Sequence, residues 1–270
     1  MTAPLAATTI FDGDHLRAMH CARGHDRLIV TFDFRTPGKS GFSPANPSSR
    51  FDAAGFDQIM LRTARNDWFV NADTAPCETA LARAARGYAA VHTLGWSMGG
   101  YGALRFARAL GASRITVVSP QVSVHPDIVP FDRRYRAEAA GFDRRAGDLA
   151  IRATPDATGA VLYDPMIRGD RLNAAMIGAL FPGLARIALP FGGHPATGTL
   201  RDGGRAWVVQ KCALAGATDA LAIRRAHRAA RRASAGYWTR LARRAGPRRP
   251  ALAERALDHA ERLDAQGDSP

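Results

Sequence analysis

Apolar residues in this chain cluster into short runs separated by stretches at helical spacing. Arg27-Leu-Ile-Val-Thr-Phe-Asp-Phe34 is rich in β-branched and aromatic residues and reads as a strand. The next twelve residues, 36–47, are turn chemistry throughout, with three prolines and two glycines. Residues 58–63 give a second strand, and 76–86 a helix with proline near its first turn. Ala89, Ala90, Val91 and Leu94 form a third strand that runs into a glycine-rich turn. Beyond that turn Tyr101, Ala103, Leu104, Phe106, Ala107 and Leu110 recur at helical spacing up to Gly111, a suitable C-terminal stop. Further strands are expected at 114–119, 160–163 and 185–189, with a helix at 171–180. Strands separated by helices in this way predict a mostly parallel sheet flanked by helices. Residues 1–27 are polar and suit an edge strand or hairpin. Residues 121–158 are irregular and read as a short lid-like excursion.

The turn at the end of the third strand carries the chemistry. Gly95-Trp96-Ser97-Met98-Gly99 is a G-x-S-x-G elbow, in which a serine is presented on a sharp strand-to-helix turn. The flanking glycines remove side chains that would clash there. The bland alternative is a serine in a tight turn with no chemistry, but the strand before it and the helix after it favour Ser97 as a nucleophile. Two later strand ends supply the partner residue types. One ends in Tyr163-Asp164-Pro165 with Asp170 a few residues on, and the last runs into Gly192-Gly193-His194. A weakly nucleophilic hydroxyl needs an imidazole to take its proton and a carboxylate to orient that imidazole. Asp164 and Asp170 both remain candidates for the acid. Asp164 ranks slightly ahead, because Asp170 opens a helix where an acidic residue is expected anyway. His92 reads as packed beside the sheet and His125 as a loop residue. Asn66-Asp67-Trp68 reads as a capped turn with a packed indole.

The order Ser, acid, His at successive strand ends resembles the α/β-hydrolase superfamily over about residues 27–205. The matches are Gly95-Trp-Ser-Met-Gly-Gly100, Tyr163-Asp-Pro165 and Leu189-Pro-Phe-Gly-Gly-His194. The resemblance implies an α/β-hydrolase fold and a serine hydrolase acting on a carboxylic ester or related acyl bond. It also implies an acyl-enzyme that water, or a carbohydrate hydroxyl in acyl transfer, would resolve. The substrate would then be a small-molecule or glycan ester, and no cofactor or metal is called for. The oxyanion hole would take the Met98 amide and a second amide from the loop after an early strand. The His-Gly often found in that loop is missing, and Phe32-Asp-Phe-Arg-Thr36 stands there instead, so the amide of Phe34 or Arg35 would serve. A rival reading keeps the fold without catalysis, as a binding or scaffold protein.

Length and charge refine this picture. At 270 residues the chain divides into a hydrolase domain over 1–215 and a basic helical extension over 216–270, broken around Gly246-Pro247. The net charge is +13, and the extension alone has 12 arginines against six acidic residues. That balance suits an acidic protein partner. Nucleic acid is disfavoured, because no aromatic residues interleave the arginines and no nucleic-acid motif occurs. The arginine runs at 133–136, 144–145, 224–232 and 240–249 read as solvated faces. Three scattered cysteines and isolated histidines support neither a disulfide framework nor a metal site. Residues 1–17 hold Asp12 and Asp14 where a signal peptide needs an apolar core, and no stretch reaches membrane-spanning length. The expectation is a cytoplasmic bacterial protein.

Overall fold

The computed structural model describes residues 7–267; the first six residues of the 1–17 stretch and the last three of the extension lie outside the described residues. The chain opens with the expected hairpin, β1 (Thr8–Asp12) and β2 (Leu16–Cys21), paired antiparallel. Then follow β3 (Arg27–Phe32), α1 (Ser49–Asp52), β4 (Phe56–Thr63), α2 (Thr74–Ala85) and β5 (Ala90–Trp96). Two helices, α3 (Met98–Arg105) and α4 (Ala107–Leu110), lead to β6 (Arg114–Val118). The expected single helix is thus broken at Phe106. After β6 come α5 (Arg136–Ala139), β7 (Thr158–Tyr163), α6 (Arg168–Leu180) and β8 (Leu184–Ala188). The C-terminal quarter is helical: α7 (Gly198–Asp202), α8 (Trp207–Leu214), α9 (Ala220–Ala230), α10 (Ala235–Ala245) and α11 (Pro250–Gly267).

The eight strands form one sheet in the order β1-β2-β4-β3-β5-β6-β7-β8. β2 runs antiparallel to β1 and β4, and every pairing from β4 to β8 is parallel. After β3 the chain steps outward to β4, then returns to lay β5 on the other side of β3. Loops leaving the carboxyl ends of β3 and β5 therefore diverge and open a crevice, the usual place for a ligand in such a sheet.

Alternation along the strands feeds two cores. Leu28, Val30 and Phe32 of β3 pack with Tyr101 and Leu104 of α3 on one face, while Ile29 joins Leu94, Val118 and Ile187 on the other. The irregular 121–158 segment is tied to the first face. Tyr135, Phe142 and Leu149 are buried in that core, and the Tyr101 hydroxyl donates to the Gly147 carbonyl at 2.7 Å. Trp68 is wholly buried, and its indole N–H donates to Gln121 Oε1 at 3.0 Å. The start of the helical extension is stitched to the sheet: Arg114 of β6 donates to the carbonyls of Cys212 and Gly216 and to Thr218 Oγ1. α9 packs on β8, and α11 packs chiefly on α10.

Candidate active site

Ser97 follows the last residue of β5 and precedes α3, with φ 51° and ψ −118°. A non-glycine residue in this region costs about 1–3 kcal/mol, so its surroundings must hold it there. The glycines explain how. A Cβ on Gly95 would lie 2.0 Å from the Gly99 carbonyl oxygen, and one on Gly99 would lie 2.7 Å from the Asp33 carbonyl oxygen. Only bare backbone lets α3 fold so tightly against β5 and against the turn that leaves β3.

The amides of Met98 and Phe34, expected from the sequence to hold an oxyanion, belong to the two segments that this approach brings together. Met98 is the first residue of α3, so its N–H has no intrahelical acceptor. The neighbouring Phe34 lies in the turn after β3. Among the described residues neither amide donates to a protein acceptor. The turn is fixed by Asp33, whose buried carboxylate takes Arg62 Nη1 at 2.7 Å, Lys39 Nζ at 3.1 Å and the Thr63 amide at 3.3 Å. Asp33 anchors the loop in which the sequence had shown no family signature. Phe34 itself is 61% exposed.

His194 sits beyond β8, in the turn that follows Gly192-Gly193. Its Nε2 is 2.9 Å from Ser97 Oγ, and its Nδ1 is 2.9 Å and 3.1 Å from the two oxygens of Asp170. With Nδ1 facing a carboxylate the ring proton belongs there, and Nε2 turns its lone pair to the serine. Asp170 lies in the first turn of α6 and is 1% exposed.

The ranking that set Asp164 ahead of Asp170 is corrected by this geometry. Asp164, also 1% exposed, accepts hydrogen bonds from the amides of Met166, Phe191 and Gly193 at 2.9, 3.1 and 2.9 Å. Its oxygens are consumed in shaping the strand end and the histidine turn. α6 starts only at Arg168, which swings its first turn, and Asp170 with it, under the imidazole.

Sequence reasoning missed Asp132, Arg134, Tyr135 and Asn173, because 133–136 reads as a solvated basic run. Instead Arg134 is clamped between two carboxylates. It donates to Asp132 through Nε at 2.8 Å and Nη2 at 2.7 Å, and to Asp170 Oδ1 through Nη1 at 2.8 Å. Asn173 of α6 donates to Asp132 at 3.0 Å and accepts from the Val122 amide at 2.9 Å. Burial works against the Asp132 carboxylate, yet the Arg134 hydrogen bonds outweigh it and hold its pKa below the ordinary range. Burial also weakens the Arg134 charge, but Asp132 and Asp170 reverse that and push its pKa up. Tyr135 brings its hydroxyl to 3.1 Å from His194 Nε2, with its ring against Trp68 at 4.8 Å. No motif could have announced them, since Asp132, Arg134 and Tyr135 come from an irregular excursion and Asn173 from the middle of a helix.

A cleft of about 490 Å³ opens above Ser97, within the size range of small-molecule sites. Phe34, Trp96, Tyr135, Pro195 and Ala206 give it an apolar lining, with Arg35 and Arg201 at its edge. His92 lies outside it, buried against the Ala213 carbonyl at 2.7 Å, and His125 accepts from the Asp127 amide in its own loop. Among the described residues no cluster of His, Cys, Asp or Glu could hold a metal ion, and no helix is long and apolar enough to cross a membrane.

No protein-family model and no curated protein matches the sequence. Solved structures do match. A sugar hydrolase from Lactococcus lactis is similar at 10% identity over 76% of this chain and 98% of its own, with a TM-score of 0.50. Est1E from Butyrivibrio proteoclasticus is similar at 14% identity over 76% and 95%, TM-score 0.45. The capsule O-acetyltransferase of Neisseria meningitidis serogroup A is similar at 15% identity over 69% and 88%, TM-score 0.45. Strand order, crossovers and the likeness to the Lactococcus lactis structure agree: the chain has the α/β-hydrolase fold.

Proposed function

We propose that this protein is a serine hydrolase of esterase type, acting on a carboxylic ester through an acyl-enzyme. One observation carries the reading: the unbroken relay from Ser97 Oγ through His194 to Asp170, on a serine held at positive φ. Ser97 attacks the ester carbonyl as His194 Nε2 takes its proton. Asp170 fixes the imidazole's tautomer and stabilises its charged form. The amides of Met98 and Phe34 hold the oxyanion, each donor contributing about 3–4 kcal/mol to the transition state. The acid-stabilised imidazolium then returns the proton to the departing alcohol, and water resolves the acyl-enzyme. A sugar hydroxyl entering in place of water would make the same site an acyltransferase. The apolar lining and open top of the cleft suit a small acyl group joined to a larger alcohol.

The test is labelling by a fluorophosphonate, with turnover of p-nitrophenyl acetate and butyrate, in wild type, Ser97→Ala and His194→Ala. Labelling and turnover are expected in the wild type only, with kcat falling about a million-fold in either variant. A folded wild type that neither labels nor turns over ester favours the non-catalytic reading, in which the fold serves binding alone.

A further inference from the structure

The relay leaves one hydroxyl at the reacting centre without a task. Tyr135 OH stands 3.1 Å from His194 Nε2. A neutral imidazole protonated on Nδ1 has a single lone pair at Nε2, and Ser97 occupies it at 2.9 Å. The tyrosine hydroxyl is thus free to donate to whatever oxygen arrives beside Nε2. During acylation that oxygen belongs to the leaving alcohol; during deacylation it belongs to the incoming water or alcohol.

The group is well placed to act there. Its ring is buried against Trp68, which is itself locked through Gln121, and the neighbouring Arg134 is held by Asp132 and Asp170. A donor so fixed needs no reorganisation as charge develops. Burial raises the phenol's pKa, so it keeps its proton at neutral pH.

We propose that Tyr135 is a catalytic residue that hydrogen-bonds the leaving oxygen while its bond to the acyl carbon breaks. The proposal rests on the serine-ester reading above. In the step itself Ser97 Oγ bonds to the acyl carbon and its proton passes to Nε2. The carbon–oxygen bond to the alcohol breaks, and that oxygen takes the proton from Nε2. Tyr135 keeps its own proton throughout and supplies only the hydrogen bond. In deacylation the same oxygen position is filled by the attacking water. The site is thereby suited to esters of alcohols that leave poorly, such as alkyl and sugar alcohols. An aryl oxygen leaves as a stable anion and needs this help far less.

The experiment compares kcat/KM for ethyl acetate and p-nitrophenyl acetate in wild type and Tyr135→Phe. The ratio of ethyl to p-nitrophenyl activity should fall roughly ten- to a hundredfold in the variant, the worth of one hydrogen bond to a charged oxygen. Equal losses for the two esters would mark a merely structural tyrosine, and a gain for either would mark a plug; both overturn the proposal. Should Tyr135→Phe fail to fold, 3-fluorotyrosine at this position keeps the packing and changes only donor strength. The same ratio must then shift, and an unmoved ratio counts against the proposal. A wild type without labelling or turnover overturns the serine-ester reading itself, an outcome visible before any variant is made.

Discussion

Two buried aspartates, Asp164 and Asp170, are each 1% exposed, and their partners separate their roles. Asp170 faces an imidazole, while Asp164 faces three backbone amides. Replacing Asp170 by Asn keeps the shape but presents the wrong partner to Nδ1 and removes one of the two carboxylates that hold Arg134, so kcat should fall about 10³–10⁴-fold, far more than the accompanying loss of stability alone would cause. Asp164→Asn sets an amide nitrogen against amide N–H groups and should cost about 1–3 kcal/mol of stability. Denaturant unfolding and ester kinetics on the two variants, side by side, distinguish the cases. Gly99 argues the same way from the backbone. A Cβ there meets the Asp33 and Phe32 carbonyl oxygens at 2.7 and 2.9 Å. Gly99→Ala should push the Phe34 amide away from Met98 and lower kcat about 10²–10³-fold with KM little changed.

At the scale of elements, the excursion after β6 is where sequence reading and structure part. The central strands were legible because they are buried on both faces and so are rich in apolar residues, and the sharp turn that carries Ser97 was legible because positions 95 and 99 leave no room for a side chain. His194 was legible from its place after the last strand. Arg134 was not, since a charged residue in an irregular segment looks the same whether it faces water or a pair of carboxylates. The carboxylate that meets the His194 ring was not either, because choosing between 164 and 170 depends on where α6 starts, and helix starts are only loosely marked in sequence. The network has a consequence for stability. Arg134→Met leaves Asp132 and Asp170 buried without their counter-charge, and with the arginine side chain 31% exposed the loss should be about 2 kcal/mol at neutral pH. Its pH dependence has a definite sign. Asp132 titrates lower in the folded protein than in the unfolded chain, so its contribution is present above about pH 4 and is lost as pH falls through the folded value. The stability gap between wild type and Arg134→Met should therefore narrow on acidification through this range. Urea titrations at neutral pH and at successively lower pH measure it, and a gap that widens would refute the assignment.

For the whole molecule, the helical C-terminal quarter divides by what it supports. α9 and α10 brace the turn that carries His194. The buried His227 ring is 3.0 Å from the Pro190 carbonyl, Arg240 Nε donates to the Phe191 carbonyl at 2.7 Å, and the Tyr237 ring meets Phe191 edge-on at 5.5 Å. Ser234, the cap of α10, donates to Asp202 at the end of α7 at 2.6 Å. α11 takes no part in this; it buries Ala256 and Ala260 chiefly against α10 and stacks His259 edge-on to Trp238. Truncation before Pro250 should therefore uncover one face of α10 and lower stability, while ester turnover stays within about twofold, because the described supports of the histidine turn come from α9 and α10. Truncation before Thr218 removes the His227 and Arg240 supports together with the Thr218 tether to Arg114. Turnover and fluorophosphonate labelling should then fall by orders of magnitude, since displacing a catalytic group by about 1 Å already costs about a hundredfold. If instead the shorter protein labelled like wild type, α9 and α10 would be dispensable to the site, and their basic surface would have to be explained by a binding role of its own.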